Sequence, residues 1–231
     1  MREKIVVFTG AGVSAESGLK TFRDMGGLWN EYAVQDVASP QGWESNPSAV
    51  LRFYNERRRA VLAAEPNAAH KAIAKLEAIF DVVVITQNID DLHERAGSSK
   101  VIHIHGEILK ARSSVDPLLI YMLDKPTIEL GELCERGSQL RPDVVWFGED
   151  VLRMDECRAH FATGSRILTV GTSLTVYPAA GLVKQASFSA EKYLASPDAQ
   201  KVPYGFRFLR GLATTVVPHV VTCWLEGRKP I

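Results

Sequence analysis

The sequence predicts an α/β protein, a doubly wound parallel sheet with a small inserted second lobe. A short, continuous apolar run at residues 5–8 reads as a buried parallel strand, and residues 82–85, 101–104 and 167–170 read as further buried strands. Helix-patterned stretches alternate with them, which is the signature of parallel strands joined by crossover helices. A turn of small residues, Thr9-Gly10-Ala11-Gly12, follows the first run and permits close backbone approach.

Taken in order, residues 5–8 form the first strand, and residues 10–15 open a helix. Residues 48–64 carry Leu51, Tyr54, Arg58 and Val61 at three- and four-residue steps, so they predict an amphipathic helix. Residues 67–80 do the same through Ala72, Leu76 and Phe80. Two stretches break the alternation. Residues 25–70 interrupt the first crossover, and residues 108–147 are punctuated by Pro117, Pro126, Gly131, Gly137 and Pro142. Together they predict the small lobe, against a large Rossmann-like lobe of residues 1–24, 71–107 and 148–231. All 231 residues then form one catalytic domain. The polar stretch 187–203 reads as the most mobile loop.

Composition narrows the function classes. Apolar residues make up 46% and charged residues 23% of the chain, and 27 Lys plus Arg balance 27 Asp plus Glu. A zero net charge gives no electrostatic reason to expect nucleic acid or a membrane surface as partner. The N-terminal apolar run is too short for a signal-peptide core, and no stretch approaches a membrane span. Three scattered cysteines, Cys134, Cys157 and Cys223, build neither a disulfide framework nor a four-cysteine metal site. The expectation is a cytoplasmic monomer or weak oligomer.

Gly10-Ala11-Gly12-Val13-Ser14-Ala15 matches the G-x-G-x-x-A spacing of a dinucleotide loop, in which backbone amides approach a pyrophosphate. An ordinary dehydrogenase would place an acidic residue at a strand end about twenty residues later. Here that region holds Trp29, Asn30 and Glu31 outside any strand pattern, which argues against that class.

The loop continues as Gly10-Ala11-Gly12-x-Ser14-x-x-Ser17-Gly18-x-x-x-Phe22-Arg23, which resembles the opening signature of sirtuins. Four further blocks recur in that family's order. They are Thr86-Gln87-Asn88-Ile89-Asp90, His105-Gly106-Glu107, residues Arg141 to Glu149, and Gly171-Thr172-Ser173-Leu174. The resemblance implies NAD-dependent removal of acyl groups from protein lysines, giving nicotinamide and acyl-ADP-ribose. It implies His105 as general base, a task suited to a group titrating near neutrality, with Asn88 beside it. Gly10, Ala11, Gly12, Ser14, Ala15, Phe22, Arg23, Gln87, Asn88, Asp90, Gly171, Thr172, Ser173 and Ala213 would hold NAD. Val145, Trp146, Phe147 and Gly148 would form an exposed edge that takes acylated-lysine proteins by strand addition. Protein ADP-ribosyl transfer and a non-catalytic NAD-binding module remain as alternatives.

Tyr54 and Arg57 are three apart on a predicted helix and can share a face. A phenol and a guanidinium in one cavity suit a carboxylate, and sirtuins that prefer succinyl- or malonyl-lysine carry this pair. Gly27-Leu28-Trp29 and Asn67-Ala68-Ala69-His70 resemble the same subgroup. The chain departs from the family in its zinc ligands. Lys110-Ala111-Arg112-Ser113-Ser114 stands where a first cysteine pair belongs, and Cys134 is followed by Gly137 in place of a second cysteine. Structural zinc is therefore expected to be absent, with Leu118, Leu119, Tyr121, Met122, Leu130 and Leu133 packing the lobe. Cys134 reads as a small buried apolar residue. Near the adenine end, Gln185-Ala186-Ser187 stands where the family commonly has an Asn.

Overall fold

The computed structural model describes residues 2–21, 34–199 and 201–230. Phe22, Arg23 and the stretch Gly27-Leu28-Trp29 lie outside them. In chain order the first half contains β1 (Lys4–Thr9), α1 (Val34–Val37), α2 (Pro40–Ser45), α3 (Pro47–Ala63), α4 (Ala68–Lys75), β2 (Asp81–Thr86), α5 (Leu92–Arg95) and β3 (Val101–His103). The second half contains β4 (Gly106–Ser113), β5 (Ile120–Met122), β6 (Leu140–Val144), α6 (Met154–Thr163), β7 (Arg166–Val170), β8 (Glu191–Ser196), β9 (Arg207–Arg210) and α7 (Ala213–Leu225).

Six strands form one sheet in the order β3-β2-β1-β7-β8-β9, parallel at every pairing. Side chains alternate across a strand, so β1 feeds two cores at once. Ile5 and Val7 pack with Ala69 and Ile73 of α4 and Val217 and Trp224 of α7. Val6 and Phe8 pack on the other face with Cys157 and Phe161 of α6. Coverage on both faces explains why residues 5–8 of β1 are a continuous apolar run.

Two sequence expectations fail in the large lobe. The glycine loop does not open an α-helix. It closes into two 3₁₀ turns, Ala11–Val13 and Ala15–Ser17, ended by Gly18 at φ 87°. The side chain of Asn67 holds these turns by donating to the Val13 carbonyl and the Ser17 hydroxyl. The polar stretch 187–203 is not a loop, because it contains the buried strand β8. Lys192 belongs in that strand because its Nζ reaches the carbonyls of Ser187 and Phe188.

The small lobe is built on the antiparallel sheet β5-β4-β6 and on α3. Of the six apolar residues expected to pack it, Leu119 and Tyr121 are half-buried and the other four are exposed. Leu118, Met122, Leu130 and Leu133 are 57–87% exposed, because the segment carrying them lies at the sheet's edge. The lobe's apolar core comes from other residues, among them Val50, Phe53, Ile108 and Val144, with Leu51, Ala111 and Ile128 in a second cluster, and polar ties add to it. Arg58 of α3, fully buried, donates to the Ile108 carbonyl at 2.6 Å, to Asn55 Oδ1 at 2.7 Å and to the Pro126 carbonyl at 3.3 Å. Asn55 in turn exchanges two hydrogen bonds with the backbone of Ile128.

Cys134 is buried but is not merely apolar filler. Its Sγ lies 3.0 Å from Ser138 Oγ, which lies 2.7 Å from Ser113 Oγ. One thiol and two hydroxyls do not suit a closed zinc site. Among the described residues, no three His, Cys, Asp or Glu side chains converge as a metal site.

Candidate active site

The strand order reverses between β1 and β7, and ligands of such sheets bind beyond the carboxyl ends at that point. The Gly10 loop leaves β1 there and the Gly171 loop leaves β7. Gly10 N donates to the Val170 carbonyl at 3.0 Å, and Gly12 N to the Gly171 carbonyl at 2.8 Å. Gly171 sits at φ 62°, and a Cβ on it would fall 2.3 Å from Val13 N. Only glycine fits between the two loops. Thr172 Oγ1 accepts from Gln87 Nε2 at 2.9 Å, which ties a third loop, after β2, to the same edge. Ser173 pairs its hydroxyl with Thr175, and Ala213 begins α7 nearby.

Ser14 is a hub rather than an open phosphate ligand. Its buried hydroxyl donates to Asp90 Oδ2 at 3.1 Å and accepts from Asn88 Nδ2 at 3.0 Å. His70 Nε2 approaches at 3.4 Å, while His70 Nδ1 accepts from Asn67 N as part of a capping box at α4. Burial raises the Asp90 pKa, against its bonds from Leu92 N and Ser14.

His105 follows β3 in a tight turn and directs Nδ1 at the Gln87 carbonyl, 2.9 Å away. A carbonyl only accepts, so Nδ1 carries the proton and Nε2 keeps its lone pair. Burial lowers the His105 pKa below the ordinary 6.5, with the Gln87 contact opposing. The ring is thus held as a neutral base beside the Asn88 loop. Gly106, at φ 80°, permits the turn, since a Cβ there would meet the Asp143 carbonyl at 2.2 Å.

Tyr54 and Arg57 share the inner side of α3. Burial pushes the Tyr54 phenol up to about 12, against the pull of the Arg57 charge, and Arg57 also feels Asp90. The Tyr54 hydroxyl accepts from Trp146 Nε1 at 3.1 Å. Residues 145–148 are therefore not the open edge predicted from sequence. Trp146 is 2% exposed, with the Arg141 guanidinium 3.3 Å from its ring centroid. The N–H groups of Val145, Trp146 and Phe147 donate to the His105 carbonyl, the Glu149 carboxylate and the Ala38 carbonyl. Phe147 and Gly148 remain exposed. The remaining anchor is Arg141, which grips Glu149 through both Nη1 and Nη2 at 2.7 and 3.0 Å.

Residues 10–178 match the Sir2 family. The chain belongs to that family. An NAD-dependent protein deacylase of Helicobacter pylori (strain J99) is 50% identical over 198 residues, covering 86% of this chain and 84% of that protein. A crystal structure of a Sir2 homologue–NAD complex aligns with TM-score 0.85 at 37% identity, over 98% of this chain and 91% of that one. A Sir2 protein bound to an acetylated peptide aligns with TM-score 0.79 at 28% identity, over 98% of this chain and 94% of the other.

Within this Sir2 protein, several residues around the site escaped the sequence reading. Asn67 was singled out only for its family resemblance; its structural role also carried a signal, since an Asn three residues before His70 is an N-cap pattern. Glu16, whose carboxylate accepts from Thr214 N and Oγ1 at the start of α7, carried none. Ser196 ends β8 at the same sheet edge, with its hydroxyl bonded to the Asp198 backbone. It is a better-placed adenine-end candidate than Gln185-Ala186-Ser187, which precedes the strand.

Proposed function

We propose that this chain is an NAD-dependent protein-lysine deacylase with a pocket suited to acidic acyl groups. The observation that carries the chemistry is His105, whose Nδ1 is committed to the Gln87 carbonyl so that Nε2 can take a proton. NAD, when bound, supplies a ribose that can accept the acyl group. Gly10, Ala11, Gly12 and Ala15 line its pyrophosphate, and Phe22 and Arg23, outside the described residues, are assigned to NAD from the family signature alone. Gln87, Asn88, Asp90, Thr172, Ser173 and Ala213 orient the rest of the molecule. Ser14 acts through Asn88 and Asp90. The close packing of the Gly10 and Gly171 loops at the strand-order reversal supports this assignment.

Tyr54 and Arg57 receive the distal carboxylate of a succinyl- or malonyl-lysine. Their support is a shared helix face and the mutual effect of their charges. The acylated protein lies along residues 145–148. Because the N–H groups of Val145, Trp146 and Phe147 are engaged, backbone pairing would centre on exposed Gly148. The lobe needs no zinc, because Arg58 and Asn55 tie it together. The whole chain serves as one catalytic domain. Its three free cysteines fit a reducing, cytoplasmic setting, and it acts as a monomer or weak oligomer.

The test is incubation with NAD and matched acetyl- and succinyl-lysine peptides, followed by mass measurement of both products. Faster succinyl loss with succinyl-ADP-ribose formed is expected. Acetyl loss alone would remove the assignment of Tyr54 and Arg57, and no NAD-dependent loss of either group would remove the deacylase.

A further inference from the structure

A second histidine grips the loop that carries Asn88. His103 ends β3, two residues before His105, and is nine-tenths buried. Its Nδ1 lies 3.0 Å from the Asn88 carbonyl, and its Nε2 lies 2.7 Å from Glu94 Oε1 on α5. The two contacts straddle the segment between them. Asn88 and Asp90, which both bond Ser14, lie inside that span, and α5 closes its far end.

Proton accounting constrains this arrangement. The Asn88 carbonyl can only accept, so Nδ1 carries a proton. A carboxylate at Nε2 then calls for a second proton, making the ring an imidazolium. Losing that proton would set a lone pair against the carboxylate and release one end of the span.

We infer that His103 and Glu94 form an ionised clamp that positions the Asn88–Asp90 loop for NAD, making His103 a positioning residue whose deprotonation loosens cofactor binding. This rests on the reading of His105 as base and of the Asn88 loop as an NAD contact.

The surroundings agree in sign. Burial alone would push the His103 proton off, but the bond and charge of Glu94, the Asn88 carbonyl and the charge of Glu107 outweigh it, so its pKa lies above 6.5. The other groups facing it are His93 of α5, which burial keeps neutral, and Asp90 within the loop. Glu107 is itself paired with Lys110. His105, two residues on, shifts the opposite way. Two histidines with pKa values driven apart leave a window in which one is a neutral base and the other a cationic clamp.

The experiment is the pH profile of kcat/KM for NAD in wild type, Glu94→Gln and Glu94→Ala, with melting temperature as a folding control. In wild type the clamp contributes an alkaline limb above the ordinary histidine range. Glu94→Gln should abolish that limb, because an amide N–H can donate to a neutral Nε2 at any pH. Glu94→Ala should raise KM for NAD about tenfold at neutral pH while kcat changes about twofold or less, as expected for a lost charge-assisted contact. Nitrogen NMR of wild type near pH 7 should show His103 protonated at both ring nitrogens. A Glu94→Gln profile superimposed on wild type, or a His103 ring with one protonated nitrogen, would overturn the clamp. The acid limb belongs to His105, so its absence from every profile would instead sink the base assignment.

Discussion

The guanidinium of Arg58 donates from Nε to the Ile108 carbonyl at 2.6 Å, joining α3 to β4 from a position fully shielded from solvent. Burial draws its pKa down to about 10, and its partners are neutral oxygens of Ile108, Asn55 and Pro126. Arg58→Met therefore takes the Arg58 donors from the Ile108 and Pro126 carbonyls, while Asn55 Oδ1 keeps its bond from Ile128 N. A loss of roughly 1–3 kcal/mol is expected, the cost of stranding a buried acceptor. Chemical denaturation would measure it. Prolonged chelation should leave the wild-type melting temperature unchanged, and a zinc-dependent shift would show that the lobe relies on metal.

Arg57 and Tyr54 separate binding from stability. Arg57→Met should reduce kcat/KM for succinyl-lysine by about ten- to a hundredfold, the worth of a charge-assisted contact, with acetyl-lysine little affected. Tyr54→Phe should weaken succinyl removal too. It also strands Trp146 Nε1, adding a stability cost of about 1–3 kcal/mol. Parallel assays and melts of the two variants distinguish the roles.

The base has a definite acid limb. His105 must be neutral to act, and burial places its pKa below 6.5. Activity should accordingly persist below pH 6.5 and fall only at more acid pH. His105→Ala should lose turnover at every pH yet retain NAD binding by calorimetry.

Acid should also unfold the protein through other histidines. His70, pushed down to about 4, and the fully buried His93 both resist protonation when folded, chiefly because of burial. The unfolded chain takes up these protons near pH 6.5, so stability falls as pH drops below that value. Each such group costs about 1.4 kcal/mol per pH unit until its folded pKa is reached. Melting temperatures from pH 7 to 4 would test this, with a shallower slope in His70→Gln.

Gly171→Ala should separate the two nucleotide loops. The added Cβ meets Val13 N at 2.3 Å in a left-handed backbone. A higher KM for NAD and a lower melting temperature are expected together, and unchanged values would exclude the close approach.

The parts of this structure legible in sequence were those where burial dictates composition. Strands β1, β2, β3 and β7 are covered on both faces and read as mostly apolar runs, interrupted in β3 by His103 and in β7 by Thr169. Strand β8 escaped because Glu191 and Lys192 look like loop residues until Lys192 is seen to bond backbone carbonyls. The small lobe misled because apolar residues such as Leu118 suggested a core, while the cross-links came from Asn55 and Arg58 on a helix already read as amphipathic. At the site, motif spacing brought Gly10, Gln87, His105 and Gly171 to one edge. It could not show that Ser14 turns inward to Asn88 and Asp90, since direction depends on partners far along the chain. His103 stood two residues from His105, but its partner Glu94 lay on a four-residue helix with no signature of its own.

The indole N–H that joins Trp146 to Tyr54 makes the segment proposed for the peptide and the pocket proposed for the acyl group share one bond. A substrate that moves Trp146 alters the hydroxyl an acyl carboxylate would meet, and the reverse holds equally. Thermodynamic linkage requires these effects to be reciprocal: whatever factor the peptide adds to acyl affinity, the acyl group returns to the peptide. Selectivity for the modified lysine and selectivity for the protein bearing it are then coupled quantities, and neither can be tuned by substitution at Tyr54 or Trp146 without moving the other.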